Sequence, residues 1–208
     1  MKNKKIFIAI GVVLCICLGL FLFKDKGYRG TSWNDNFELV QKKVEKDIGS
    51  YCNEINSYTE GNELQIDCEN IDFSKEPFNL NIRNKGKLYI DIEKAKDSDE
   101  ILYIKENYFL DFEEPYESIE DYEELKALFN KLKDDISEEC GESVEYEEGD
   151  ADDILVESFV YKFKKGYIRI TFDYRAQIPH QQDVEVTYIN PMFNKDDVLS
   201  YEYFNYND

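Results

Sequence analysis

Eighteen consecutive residues, Ile6 to Phe23 (IFIAIGVVLCICLGLFLF), carry no charged or strongly polar side chain; Lys2, Lys4 and Lys5 precede them and Lys24, Lys26 and Arg29 follow. At ~1.5 Å rise per residue a helix of this length spans roughly 27 Å, close to the ~30 Å hydrocarbon core of a bilayer. The run therefore predicts a transmembrane anchor at residues 6–23, with a cytoplasmic tail at 1–5, a short polar tether at 24–31 containing Gly27 and Gly30, and a separate domain at 32–208.

Other membrane signals fit less well. A secretory signal has a shorter apolar core and a small-x-small cleavage site, and none follows this run. A lipoprotein needs a small residue just before the acylated cysteine, whereas Leu14 and Ile16 precede Cys15 and Cys17. Both cysteines then read as small buried hydrophobes. Three lysines and the α-amine lie before the run, against two lysines and an arginine partly offset by Asp25 after it, so the positive-inside rule favours an inside N-terminus and an extracytoplasmic domain.

Setting aside residues 1–29 leaves 179 residues with 19 basic and 44 acidic side chains, a net charge of −25. That length suits one domain with a real core. Such a field repels nucleic acid, whose binding relies on Lys and Arg neutralising phosphates; it favours a basic partner or a cation, or merely keeps the domain soluble. Sixteen tyrosines and fourteen phenylalanines in the whole chain, with regular apolar alternation, exclude a disordered chain. Outside the anchor stand Cys52, Cys68 and Cys140. A Cys52–Cys68 disulfide closing a short loop between a helix end and a strand is one reading, and three buried thiols is the other.

Phe37, Val40, Val44 and Ile48 recur at helical spacing before Gly49, predicting a helix that starts near Ser32 or Asn34 and ends on a left-handed glycine. Leu64, Ile66 and Cys68 alternate as a strand, and the phase shifts at Asn70 before Ile71 and Phe73. Phe78, Leu80 and Ile82 are expected to pair with Leu88, Ile90 and Ile92 across Asn84-Lys85-Gly86. Ile101–Ile104 and Tyr108–Phe112 supply one further strand or two.

After Pro115, with Ser118 and Asp121 resembling a capping box, the positions Ile119, Tyr122, Leu125, Phe129, Leu132 and Ile136 mark a second helix that Gly141 stops. Phe159–Phe163 and Ile168–Tyr174 then form a hairpin around Lys164-Lys165-Gly166, followed by a strand at Val184–Tyr188 and a last one at Tyr201–Phe204. The expected fold is α+β: an antiparallel sheet and two main helices in the order helix, strands, helix, strands. The halves 32–112 and 116–206 share this order, though no motif is evident between them.

Residues with catalytic chemistry are scarce. His180 is the only histidine, which excludes multi-histidine metal sites, and its Ile178-Pro179-His180-Gln181-Gln182 setting reads as an exposed loop. No G-x-S-x-G, glycine-rich phosphate loop or C-x-x-C occurs in the domain, so no catalytic residue, metal ligand or cofactor site is assigned. Asp134–Asp153 holds eleven acids, and no base stands between Lys133 and Lys162. Its core, Glu145, Tyr146, Glu147, Glu148, Asp150, Asp152 and Asp153, departs from the EF-hand pattern: counted from Asp150, position six is Leu155 and position twelve is Tyr161. It reads either as a solvated acidic loop or as a docking surface for a basic partner. Val160, Lys162, Tyr167, Arg169, Thr171 and Asp173 fall on the opposite pleat from Phe159, Phe163, Ile168 and Phe172, which predicts an open, polar-aromatic sheet face including Tyr167 and Arg169.

A short basic start, the apolar run and one acidic, tyrosine-rich α+β domain together resemble the TipC-type immunity proteins, a family anchored in the membrane of Gram-positive bacteria. The likeness is architectural and covers the whole chain; the Lys, Asn, Ile, Glu, Asp and Tyr richness fits it. The resemblance implies a non-enzymatic inhibitor that binds a secreted antibacterial toxin 1:1 on the outer side of the membrane. An anchored accessory module of a secretion or envelope system, and a carboxylate-dependent wall hydrolase, are the alternative readings. Protease shaving of intact cells tests the placement: the domain after Phe23 is expected to be digested, and full protection would contradict it.

Overall fold

The structure, a computed structural model, describes residues 28–95, 100–111, 119–151, 154–163, 166–175 and 183–196. The apolar run Ile6–Phe23, Ser118 of the expected cap, His180 and the expected last strand at Tyr201–Phe204 lie outside the described residues. Among the described residues no helix is long and apolar enough to cross a membrane.

The elements that lie wholly among the described residues include helices α1 (Phe37–Ile48) and α2 (Ile119–Cys140) and strands β1 (Cys52–Glu60), β2 (Glu63–Ile71), β3 (Lys85–Lys94), β4 (Ile101–Asp111), β5 (Glu145–Ala151), β6 (Ile154–Phe163), β7 (Gly166–Arg175) and β8 (Asp183–Ile189). All strands belong to one antiparallel sheet in the order β1-β2-β3-β4-β8-β7-β6-β5. The domain is therefore α+β, as the sequence pattern predicts. Both helices lie on one face: α1 packs on β1 and β2, and α2 on β6, β7 and β8.

Local chemistry explains the helices. The Asn36 side chain accepts the Leu39 N–H at 2.9 Å and caps α1, whose Val40, Val44 and Ile48 are buried against Leu64, Ile66 and Cys68 of β2. Gly49, expected to be left-handed, is right-handed at φ −61°, and its N–H donates to Glu45 O. The chain keeps turning there and carries Tyr51 inward to the start of β1. Gly141 does end α2 in the left-handed region (φ +87°), its N–H donating to Ser137 O at 2.8 Å. Leu125, Leu128, Phe129 and Ile136 of α2 are buried, with Phe129 against Phe172 at 5.3 Å between ring centres.

Four expectations are corrected. Phe78–Ile82 is not a strand of a hairpin: β3 pairs with β2 and β4 instead. Pro77 has no N–H for a ladder, Asn79 is left-handed (φ +54°), and the N–H groups of Phe78 and Asn79 turn back to Lys75 O. The alternation reflected one inserted ring, since Phe78 is buried against Phe73, Tyr51 and Tyr108. Residues 52–60 form a strand, β1, that sequence pattern did not suggest, because all but Cys52 lie partly or fully exposed. The core of the acidic segment, for which a solvated loop is one reading of the sequence, is in its described part edge strand β5, while Asp134, Asp135, Glu138 and Glu139 belong to α2. Finally, residues 28–31 of the expected tether are folded into the domain, with Tyr28 and Thr31 each 2% exposed.

The sheet order places two four-stranded meanders side by side, each preceded by its helix, and β4 meets β8 antiparallel with Glu106 opposite Val186. Matching β3–β4 to β7–β8 by register sets Gly86 on Gly166, Leu88 on Ile168, Ile90 on Ile170 and Tyr108 on Tyr188, each 80 positions apart. The shared motif that the linear sequence concealed is thus a repeated hairpin. Neither glycine has room for a side chain: a Cβ would stand 2.2 Å from the Phe73 ring at Gly86 and 2.4 Å from Ile189 O at Gly166.

Between the two helices the seam is closed by inserted side chains. Glu106, 2% exposed on the helix-bearing face, accepts hydrogen bonds from Tyr28 Oη at 2.5 Å, Arg29 Nη2 at 2.7 Å, Arg29 Nε at 2.9 Å and Tyr108 Oη at 2.9 Å. Arg29, left-handed at φ +46°, also pairs with Asp47 at the end of α1. Tyr188 closes on Tyr28 at 4.7 Å between ring centres. Burial pushes the phenols of Tyr28, Tyr108 and Tyr188 well above the usual tyrosine range, which keeps them neutral. Burial pulls the Arg29 guanidinium down, but Glu106 together with Tyr28, Tyr51 and Tyr108 more than offsets it, so the guanidinium stays charged.

The two glycines give a direct stability test. Gly166→Ala must displace backbone and is expected to lower the melting temperature more than Gly86→Ala, which needs only a ring to swing aside; equal effects in thermal melts would contradict this steric distinction.

Candidate functional site

Because strand side chains alternate, burying Leu64, Ile66, Leu88, Ile90, Ile170 and Val184 under the helices forces their neighbours onto the other face. There β1 and β2 present Glu54, Glu60, Glu63, Asp67 and Glu69 and no base. β3 adds Lys87, Tyr89, Asp91 and Glu93, opposite Phe109, Asn107, Lys105 and Tyr103 of β4. Beyond the seam stand Asp183, Glu185 and Thr187 of β8 and Tyr167, Arg169, Thr171 and Asp173 of β7. Neither α1 nor α2 covers this face; the segment after β8 crosses one corner, where Phe193 packs on Tyr103 and Ile189 and Lys195 bonds Glu145 at 2.7 Å and lies over the Tyr167 ring.

The middle of the face is crowded. Lys105, Asn107 and Thr187 are 7%, 4% and 0% exposed. Arg169 Nη2 donates to Glu185 at 2.5 Å, and the Thr187 hydroxyl donates to the same oxygen at 3.1 Å. Tyr103 Oη donates to Glu93 at 2.7 Å. Between β1 and β4 the surface sinks into a cleft of about 360 Å³ whose lining includes Tyr58, Glu63, Asp91, Glu93, Tyr103 and Lys105. Burial pushes the Asp91 carboxyl up, and Asp67 and Glu63 add to the rise against the pull of Lys105. Tyr89 and Phe109 meet edge to face at 5.5 Å, adding an aromatic patch.

The residues nominated from sequence are divided by the pleat. Glu145 and Glu147 stand opposite Val160 and Ser158 on the open face, whereas Tyr146 packs against Phe159 on the helix side at 4.6 Å and donates to Glu148 Oε2 at 2.7 Å. That hydrogen bond, with burial, pushes the Tyr146 phenol up to about 12. Asp150 belongs to β5, and Asp152 and Asp153 lie outside the described residues. Tyr167 and Arg169 share the open face with Val160, Lys162, Thr171 and Asp173, the partition the alternation predicts. The part that sequence reasoning missed, from β1 to β4, holds most of the acids; its signal was present as Glu63, Gln65, Asp67 and Glu69 between the buried positions of β2.

Cys52 and Cys68 are joined by a disulfide, Cα atoms 5.9 Å apart, that ties the start of edge strand β1 to β2; Cys140, at the end of α2, takes no part in that bond. Among the described residues no group of three or more His, Cys, Asp or Glu side chains is placed to hold a metal ion. The sequence matches no protein-family model, and neither a curated protein nor a solved structure matches the chain.

Asp91 makes the face testable. A carboxyl whose native pKa is raised above its unfolded value of about 3.9 costs stability when ionised, fully above the native pKa and progressively less as pH falls through it. Asp91→Asn is therefore expected to raise the melting temperature at neutral pH, with the gain disappearing in acid; a loss of stability at neutral pH would contradict it.

Proposed function

We propose that this protein is a membrane-anchored immunity protein: Ile6–Phe23 holds it in the cytoplasmic membrane, and the domain, outside the cell, binds and occludes a cognate antibacterial toxin through the open sheet face. One observation carries the reading. An eight-stranded sheet leaves most of the face opposite α1 and α2 uncovered by its described residues and lines it with acids and aromatics around a half-sunken cleft. Like charges gathered there are unfavourable for the isolated fold and become favourable against a basic surface, where they speed encounter and set specificity. Tyrosine, phenylalanine and arginine at the middle match the composition of binding hot spots.

Other features support the reading. The architecture resembles the TipC-type family, and the Cys52–Cys68 disulfide suits an oxidising compartment. Occlusion needs shape and charge and no chemistry of its own, which accords with the absence of nucleophile, phosphate-loop and metal motifs from the sequence.

The test uses the protein encoded by the adjacent gene. Glu63→Lys with Asp67→Lys, on the open face, is expected to weaken its 1:1 complex by on the order of tenfold or more and to reduce the salt dependence. Glu38→Lys with Glu139→Lys, the same charge change on the helix side, is expected to leave binding near wild type. Equal losses from both pairs would contradict the open-face assignment.

A further inference from the structure

The chain leaving the apolar run is fastened almost at once. From Phe23 to Tyr28 is five residue steps, at most about 17 Å when fully extended. Beyond that point Tyr28 is buried, Thr31 bonds Tyr28 O through its N–H at 2.8 Å and its hydroxyl at 2.6 Å, and Lys43 Nζ donates to Gly30 O at 3.1 Å. Arg29 bridges Asp47 of α1 and Glu106 of β4. The fastening therefore lies on the helix-bearing face beside α1, on the opposite side of the sheet from the acidic cleft.

The outer side of α1 has its own character. Leu39 is 41% exposed, and Lys42 and Lys46, both exposed, continue its stripe at helical spacing. The helix balances Lys42, Lys43 and Lys46 against Glu38, Glu45 and Asp47 within a domain of net charge −25. An exposed leucine flanked by lysines suits a lipid surface, where the aliphatic stems lie along the interface and the ammonium groups meet anionic headgroups.

We propose that the docked Tyr28–Thr31 turn is a rigid coupling that seats the outer stripe of α1 on the lipid surface and turns the acidic face away from it. This inference rests on the reading of Ile6–Phe23 as an anchor. The geometry holds the domain at a fixed height, turns the acids of the open face away from the headgroups and leaves the cleft open to a partner arriving from outside.

The experiment places the full chain, with Cys15, Cys17 and Cys140 changed to serine, in phosphatidylcholine–phosphatidylglycerol vesicles carrying a headgroup quencher. A fluorophore is attached at Leu39→Cys or at Tyr58→Cys, the latter on the open face. Quenching is expected to be several-fold stronger at position 39. Inserting a long Gly-Ser segment between Lys26 and Gly27 should abolish the difference without touching the fold. Failure of the chain to float with vesicles would remove the anchor. Flotation with equal quenching at the two positions, or stronger quenching at 58, would overturn the coupling and leave the anchor standing.

Discussion

A carboxylate buried at the seam of two meanders is the point on which this structure depends. Glu106 sits where β4 meets β8, at the join between the two halves of the sheet. Left alone in that setting its charge would be prohibitive; with Arg29 and two phenols around it, it is fully engaged. Removing one partner of such a buried pair costs about 3–5 kcal/mol, because the other is left charged and unpaired. A local arrangement thus joins three parts of the chain: the segment after the apolar run, the end of α1 through Asp47, and the central strand.

From that point the two faces follow. Each half buries its apolar rows under its own helix, and strand alternation sends the acids of the same strands to the other side. The repeated hairpin, with Gly86 and Gly166 at matching positions, lets a single sheet grow to eight strands, wider than one helix pair covers. The result is a main core on one side, a small buried cluster at one corner of the other, and a broad acidic surface, which suits the proposed docking of a basic partner.

Much of this was legible in the chain, and what was not has a common cause. Helices and inner strands were readable because their apolar residues recur at a period of 3.6 or 2, as with Val40, Val44 and Ile48, or Ile168, Ile170 and Phe172. Edge strands β1 and β5 were not, since most of their side chains meet water and carry no period. Phe78 misled because an aromatic inserted from a loop looks like a strand residue. Half of the open face was visible locally in β6 and β7; the half formed by β1 to β4 depended on sheet order, which long-range pairing decides. The Arg29–Glu106 contact, spanning 77 positions, had no local signal at all.

The most direct test of the account is hydroxyl-radical footprinting of the side chains in the complex with the neighbouring gene's product. Tyr58, Tyr89 and Phe109 on the open face are expected to become protected, while Leu39 and Tyr146 on the helix side keep the reactivity of the free protein. Protection of Leu39 and Tyr146 with the open-face rings unchanged would contradict it.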